Sequence, residues 1–477
     1  MTLPTPLEDG GFSRYTASAD IDAWLVTLAA AADGRACLTR LGRSAGGRSL
    51  LALLCGCAPG AATAPGKLRV LITASLHGAS EAAGGEALLA FARDLLLGPR
   101  QDLLGPFEWV LIPNANPDGR DTDSARNANR VNLNRDFMLL AQPESRALDA
   151  ALRRYVPAVV LDAHESAVLK RRTLGEAGYL TAFEAQFDTA MTPAIPAALR
   201  DFATGTLLPQ LIRGAQAAGL PAQRYVREIH ALDQPVTHGE LAAHTLRNKA
   251  GLRGALALLL ETPMEPKADD YPSFRDIATR VDKQRLCLGV FADCLIANAR
   301  HIAAARALAT AQLDAPEISL NARYVRDPAD AVLRLPLRER ASGARVEHDF
   351  SDHRAVVEQD RLRLPAEYYV LRHAAIVGDL LACHGVAFET LCDPLDAVVE
   401  TDTYAAADPD SLDWQPTQTE RATCRLPAGA LRVPLSGHDR RLVALLLEPR
   451  STSSVFRQQP FAALLRPDEP FFIARGA

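Results

Sequence analysis

Lysine is scarce in this chain: five of the 52 basic residues, the rest being arginine. A skew of this kind follows gene composition more readily than function, and it carries no functional weight. Positive charge is not in excess either. The formal net charge is -5 over 477 residues, which argues against a nucleic-acid footprint, since that needs a basic domain. No apolar run approaches the ~18 residues needed to cross a bilayer, so no membrane association is expected. The opening "MTLPTPLEDGGFSRYT" lacks a basic segment followed by an apolar stretch. No export leader is therefore expected, and a cytoplasmic location is. The eight cysteines (37, 55, 57, 287, 294, 383, 392 and 424) are scattered, mostly in apolar stretches. They read as buried free thiols, which suits a reducing compartment.

What is present is a globular composition, 48% hydrophobic and 23% charged. At roughly 100–200 residues per domain, the length suggests two or three. The first third alternates strand and helix signals. "RSLLALLCGC", "KLRVLITASLH", "FEWVLIPN" and "PAVVLDAHES" read as strands, with helices at "GGEALLAFARDLLLG" and "PESRALDAALRRYV". Such alternation predicts an α/β fold: a mixed, mostly parallel sheet with helices on both faces. Near-continuous apolar strands such as "ALALLLET" suit a sheet buried on both sides. A long helical stretch ends near residue 313, and the texture beyond it is short, Pro- and Arg-punctuated and β-like. We therefore expect a larger N-terminal domain over 1–312 and a smaller C-terminal domain over 313–477. That second domain should be α/β to β-rich, with "CRLPAGALRVPLSGHDRRLVALLLEP" closing it as strands.

Several motif matches fail on context. "GRSAG" (42–46) fits the serine-hydrolase pattern, but that motif needs a strand before the serine and a helix after it. Here Ser44 falls in a turn between two strands. "GAATAPGK" (60–67) is one residue too long for a phosphate loop and leads into a strand. "HGELAAH" sets His238 and His244 six apart, on different faces of any helix. "CGC" (55–57) has no partner pair nearby and reads as soft core.

One constellation survives. "VLITASLH" ends at His77, "VVLDAHES" at Asp162 and His164, and "ALALLLET" at Glu261. In open parallel sheets, ligands bind beyond the carboxyl ends of the strands. A single strand-terminal His is more often a satisfied core residue. Two of them with a nearby Glu also match a His₂Glu zinc set with an open fourth position. Spacing alone leaves these readings level. The loop "NPDGRDTDSARNANRVNLNRDF" is dense in Asn and Arg, a composition suited to holding a planar carboxylate; a solvated Asx-rich loop is the plain alternative.

Taken in order, H-G-x…E, N-P-D-G, L-N-R-D, D-x-H and L-L-x-E-T resemble the zinc metallocarboxypeptidase family, the carboxypeptidase A-like fold. The likeness runs from about residue 37 to 265, and the C-terminal segments look like those appended to bacterial members. The resemblance implies one zinc per chain, held by His77, Glu81 and His164. It implies Glu261 as general base, Arg126 (with Arg130 as its competitor) at the oxyanion, and Asn134 and Arg135 on the substrate's terminal carboxylate. Asp162 is a candidate for orienting a ligand histidine, and Tyr225 for a phenol over the substrate. The chain departs from the family at one point. The family spacing is His, two residues, Glu; here Glu81 lies four after His77, as if one residue were inserted before "AAGGEALL". Glu86 is the fallback ligand.

The expected activity is hydrolysis of the C-terminal peptide bond of peptides. The alternatives are an amidohydrolase of the same fold, acting on acyl amino acids or cell-wall peptides, and a catalytically dead carboxylate-binding module. The expected partner is a peptide or acyl amino acid with a free carboxylate, with no nucleic acid and no membrane.

Overall fold

The computed structural model describes residues 3–166, 174, 177–264, 276–329, 331–406, 413–437 and 439–476. Among the described residues, nine strands precede the long helix: β1 Ala36–Arg43, β2 Ser49–Cys55, β3 Leu68–Ala74, β4 Phe107–Ile112, β5 Val159–Ser166, β6 Tyr179–Thr181, β7 Ala185–Thr189, β8 Ala222–Arg224 and β9 Leu256–Pro263. Eight of them form one mixed sheet in the order β1-β2-β4-β3-β5-β9-β7-β8. The centre is parallel, through β4, β3, β5 and β9. Both antiparallel additions lie outside it, β1 and β2 on one side and β7 on the other.

The central strands are buried along nearly their whole length. Their near-continuous Val, Leu and Ile content is what burial on both faces demands. Side chains directly opposite one another in a sheet point to the same side. Register therefore sorts the polar residues: Thr73 opposes Asp162, His164 opposes Glu261, Gln186 opposes Glu261, and Asp188 opposes Leu259. All of them share one face. Ala74 and Ala163 point to the other, where the helix Ala83–Leu96 packs so closely that a Cβ on Gly84 would lie 3.5 Å from each. Glu165, on that same side, accepts from Ala83 N (3.0 Å) and from Arg280 (2.8 and 2.9 Å). It thereby ties both that helix and the helix Ile277–Ala311 to the back of β5.

The 35-residue helix Ile277–Ala311 is long and apolar enough to cross a membrane by length and composition alone. Its buried residues Val281, Leu288, Leu295 and Ile302 recur at helical spacing along one stripe. Such a stripe is what a helix lying on a core presents. It ends one residue before the expected boundary at 312. Beyond it, β10 (Glu317–Val325) pairs with Ala355–Arg363, while β11 (Val332–Glu339) pairs with Arg345–Ser351 and also with β6. A six-stranded sheet follows, containing Leu395–Ala406 and Trp414–Leu426. One buried hydrophobic cluster runs from Leu7 to Ile473, so the main core does not stop at 312.

The closing stretch differs from its expectation. "DRRLVALLL" is a helix, Asp439–Leu447, with every residue from Arg441 on buried. An apolar run of this length is ambiguous between buried strand and buried helix; Asp439 in the first turn, at the positive end of the dipole, was the overlooked start signal. All eight cysteines are free.

Candidate metal centre

After β3 the chain turns sharply. Ser75 takes φ +58°, and His77 precedes a single 3-10 turn, Gly78–Glu81. The two candidate ligands are thus not on an open loop: the tight turn carries Glu81 back beneath His77. Gly78 is required there. Its φ is +55°, and a Cβ would sit 2.4 Å from the Ser124 carbonyl oxygen. The N-P-D-G motif builds the other wall. Asn116 caps the short helix Pro117–Asp121 and donates to the Leu76 carbonyl (3.3 Å). Asp118 holds the β1–β2 turn through Ser44 Oγ, Gly46 N and Arg48, each at 2.8 Å. Ser44 is therefore a buried structural donor.

His77, Glu81 and His164 converge, with one ligand atom from each lying within 4.8 Å of the others. Nδ1 of His77 is 2.6 Å from Glu81 Oε1, and Nδ1 of His164 is 2.6 Å from Glu81 Oε2. The far nitrogens have their own partners. His77 Nε2 lies 3.2 Å from Asn132 Oδ1, and His164 Nε2 lies 2.9 Å from Asp162 Oδ2. Those acceptors suit the tautomer with the proton on Nε2, which a cation bound at Nδ1 would select; without one, Nδ1 can carry a proton toward Glu81. Two imidazoles and one carboxylate are the donor set of a catalytic zinc with an open position. The residues fit the metal.

Electrostatics follow from burial and neighbours. Burial would raise Glu81, but His77 and His164 outweigh it and hold the carboxyl below the usual range. Burial would lower His164, but Asp162 and Glu81 outweigh it and raise it well above an ordinary histidine. Glu261, across from His164, is pushed up to about 8 by burial; Glu81 adds to the rise while His164 and Arg247 oppose it. Its Oε2 is buried with no hydrogen-bond partner among the described residues.

The remaining candidates divide. Asn134 Nδ2 lies 3.5 Å from His164 Nε2, and its Oδ1 accepts from Leu246 N (2.9 Å). Arg135 is half exposed, donating to the Asn134 carbonyl (2.8 Å) and lying 3.8 Å from Glu240. Arg126 is exposed and donates to the Arg130 carbonyl (2.9 Å); the structure does not bring it into the cluster. Arg130 is exposed at φ +61°. Glu86 is buried elsewhere, accepting from Thr16 N (2.8 Å), Thr16 Oγ1 (2.9 Å) and Arg120. Tyr225 lies close enough to Glu261 to feel its charge, with burial the larger cause raising its phenol. Sequence reading missed Asn132, which both caps the turn Leu133–Arg135 and faces His77. Its signal was its place as the first Asn of "NLNRD", an Asx residue opening a turn.

Residues 21–152 match the family model for zinc carboxypeptidases. Carboxypeptidase 2 of Trichophyton equinum is 27% identical over 201 residues, 41% of this chain and 37% of that protein. Carboxypeptidase 2 of Trichophyton tonsurans is also 27% identical over 201 residues, with the same shares. The matched stretch thus spans under two-fifths of these relatives' own length. Among solved structures, a metallo-carboxypeptidase from Burkholderia cenocepacia superposes with a TM-score of 0.43 at 20% identity, covering 58% of this chain and 69% of its own.

Proposed function

We propose, on the premise that the N-terminal part of this chain is related to zinc carboxypeptidases, that it hydrolyses the C-terminal peptide bond of peptides and needs zinc to do so. The observation that carries the reading is the pairing of two adjacent features. Both Nδ1 atoms of His77 and His164 turn toward Glu81, and one strand over, Glu261 holds a buried oxygen without a hydrogen-bond partner among the described residues. Zinc bound by His77, Glu81 and His164 would supply a Lewis acid that polarises the scissile carbonyl and brings the pKa of a water to about 7.

Glu261 is the general base in this reading. In its ionised form Glu261 accepts the attacking water's proton and returns it to the leaving amine. Asp162 and Asn132 keep the two imidazoles in the tautomer that offers Nδ1. Asn134 and Arg135 receive the terminal carboxylate, and for this Arg135 need only swing away from Glu240 at the rim. Arg126 serves the oxyanion by leaving the Arg130 carbonyl when substrate arrives.

The test is turnover of matched peptides with free and amidated C-termini by zinc-loaded protein, in wild type and Glu261→Gln. The free form should be strongly preferred. The variant should keep its metal and fold yet lose ~10²–10⁴-fold in turnover, because an amide cannot accept the proton. Equal rates on free and amidated peptides would transfer the assignment to the amidohydrolase alternative.

A further inference from the structure

The sheet face that carries Glu261 also carries Asp188, two positions further along. Two guanidinium groups meet over that one carboxylate. Arg224 Nε lies 3.4 Å from Asp188 Oδ1, and Arg247 Nη1 lies 3.5 Å from Oδ2. Both separations are beyond a good charged hydrogen bond, which runs about 2.7–2.9 Å. The Arg247 side chain is only 6% exposed. Its Nε and Nη1 are buried without a hydrogen-bond partner among the described residues. A buried, half-satisfied guanidinium is costly to keep. It also stands in the first turn of the helix Leu246–Leu252, the end where the helix dipole disfavours a cation.

The surroundings place this cation beside the metal group and hold it there. The same helix start is fixed by Asn134 Oδ1, whose amide nitrogen faces His164. Gly239 passes directly over the guanidinium: a Cβ there would lie 2.3 Å from Arg247 Nη2. Tyr324, from β10, donates to the Gly239 carbonyl (2.6 Å) and pins that passing loop. Two positions along a strand correspond to roughly 7 Å, so the excess positive charge sits about one side chain away from Glu261.

We infer that Arg247, with Arg224 beside it, binds the side-chain carboxylate of the substrate's last residue, so that the chain prefers peptides ending in Glu or Asp. The inference rests on the carboxypeptidase reading and gives it a substrate class. An incoming carboxylate supplies the two missing acceptors to Arg247 and matches the two arginines that Asp188 alone does not neutralise.

The experiment uses the zinc-loaded full chain and four benzoyl-glycyl substrates ending in Glu, Gln, Leu or Arg. Glu should exceed Gln in kcat/KM by roughly tenfold or more, since the amide leaves the buried cation uncompensated. In Arg247→Gln that ratio should fall toward one, chiefly through a raised KM for the Glu substrate, and Arg247→Lys should restore part of it. Glu and Gln substrates cut equally by wild type, or all four weakened alike by Arg247→Gln, would overturn the inference; the second result would give Arg247 the terminal carboxylate or a structural role. The wild-type comparison stands even if the variant fails to fold. If no substrate is cut, the carboxypeptidase reading fails, and calorimetry with free L-glutamate and L-glutamine still decides whether Arg247 binds a side-chain carboxylate. Glutamate bound in preference to glutamine by wild type supports it, and no preference sinks it.

Discussion

Two clusters of buried charge, one in each half of the chain, look alike in composition and differ in one respect. In the C-terminal half, Arg475 donates to both oxygens of Asp402 (2.6 and 2.8 Å) and to Glu448 (3.2 Å). Tyr368 and Thr419 complete those carboxylates at 2.8 Å each, and Tyr404 adds a bond to Asp402 at 3.0 Å. Donor meets acceptor throughout, and burial does not prevent the two carboxylates from raising Arg475. At the candidate metal centre the match is incomplete: Asp162 Oδ2 meets His164 Nε2 only as an ion-pair contact at 2.9 Å and has no hydrogen-bond partner among the described residues. Two imidazole nitrogens share one carboxylate, and Glu261 Oε2 has no hydrogen-bond partner among the described residues. A closed network fixes a fold, whereas an open one awaits a ligand.

The largest expected effect breaks the open cluster. His164→Ala leaves two ligands, fewer than the three a catalytic zinc needs. Metal content measured on the purified protein should fall from about one per chain to near zero, and turnover with it. Full zinc retention would remove His164 from the set.

Breaking the closed cluster should do the opposite. Arg475→Met strands Asp402 and Glu448, and removing one partner of a buried ion pair costs about 3–5 kcal/mol. Denaturant unfolding should register that loss, while zinc per folded chain stays at one. A variant that keeps its stability but loses zinc would show that the two halves are not separable in this way.

A third cluster joins the halves and titrates. Lys249 is fully buried, with Nζ 2.7 Å from His384 Nδ1 and 3.5 Å from Asp149. Burial, the largest cause, lowers it from 10.5 to about 7, with Asp149 opposing. Between those two values the unfolded chain holds the proton more often than the folded one, so stability rises with pH across that window and gains nothing from this group below it. The contribution should approach about 1.4 kcal/mol per pH unit. Unfolding curves at pH 7, 8 and 9 for wild type and Lys249→Met should diverge by that slope; parallel curves would show that Lys249 keeps its charge.

How much of this was legible follows from range. Motifs at strand ends were readable because a buried parallel strand announces itself by apolar content, and whatever polar residue ends it stands out: His77, His164 and Glu261 were found so. The helix Asp439–Leu447 reads as strand because Arg441–Leu447, buried throughout, carries no period. Arg247 and Asp188 lie 59 residues apart in sequence, and their meeting depends on β7 pairing with β9. No local pattern reports that. Arg126 takes its expected role from the family resemblance, and the loop's own hydrogen bond to the Arg130 carbonyl decides where its guanidinium rests.

Asn132 gives the smallest effect and the finest test of the comparison. It touches no candidate substrate atom; its Oδ1 faces His77 Nε2 at 3.2 Å and accepts from Asn134 N at 2.9 Å. If its outer partner is what aims His77 at Glu81, Asn132→Ala should free the His77 ring and weaken zinc binding by ~10–100-fold, the usual cost of losing an outer partner of a ligand histidine. Asn132→Asp should recover most of that loss, because a carboxylate oxygen accepts from Nε2 as the amide oxygen does. A structural role in the turn alone would lower thermal stability in both variants without separating their zinc affinities. Competition with a chromogenic chelator reads the difference. Equal affinity in wild type and Asn132→Ala would mean that His77 is oriented by the Gly78–Glu81 turn and not by its outer partner.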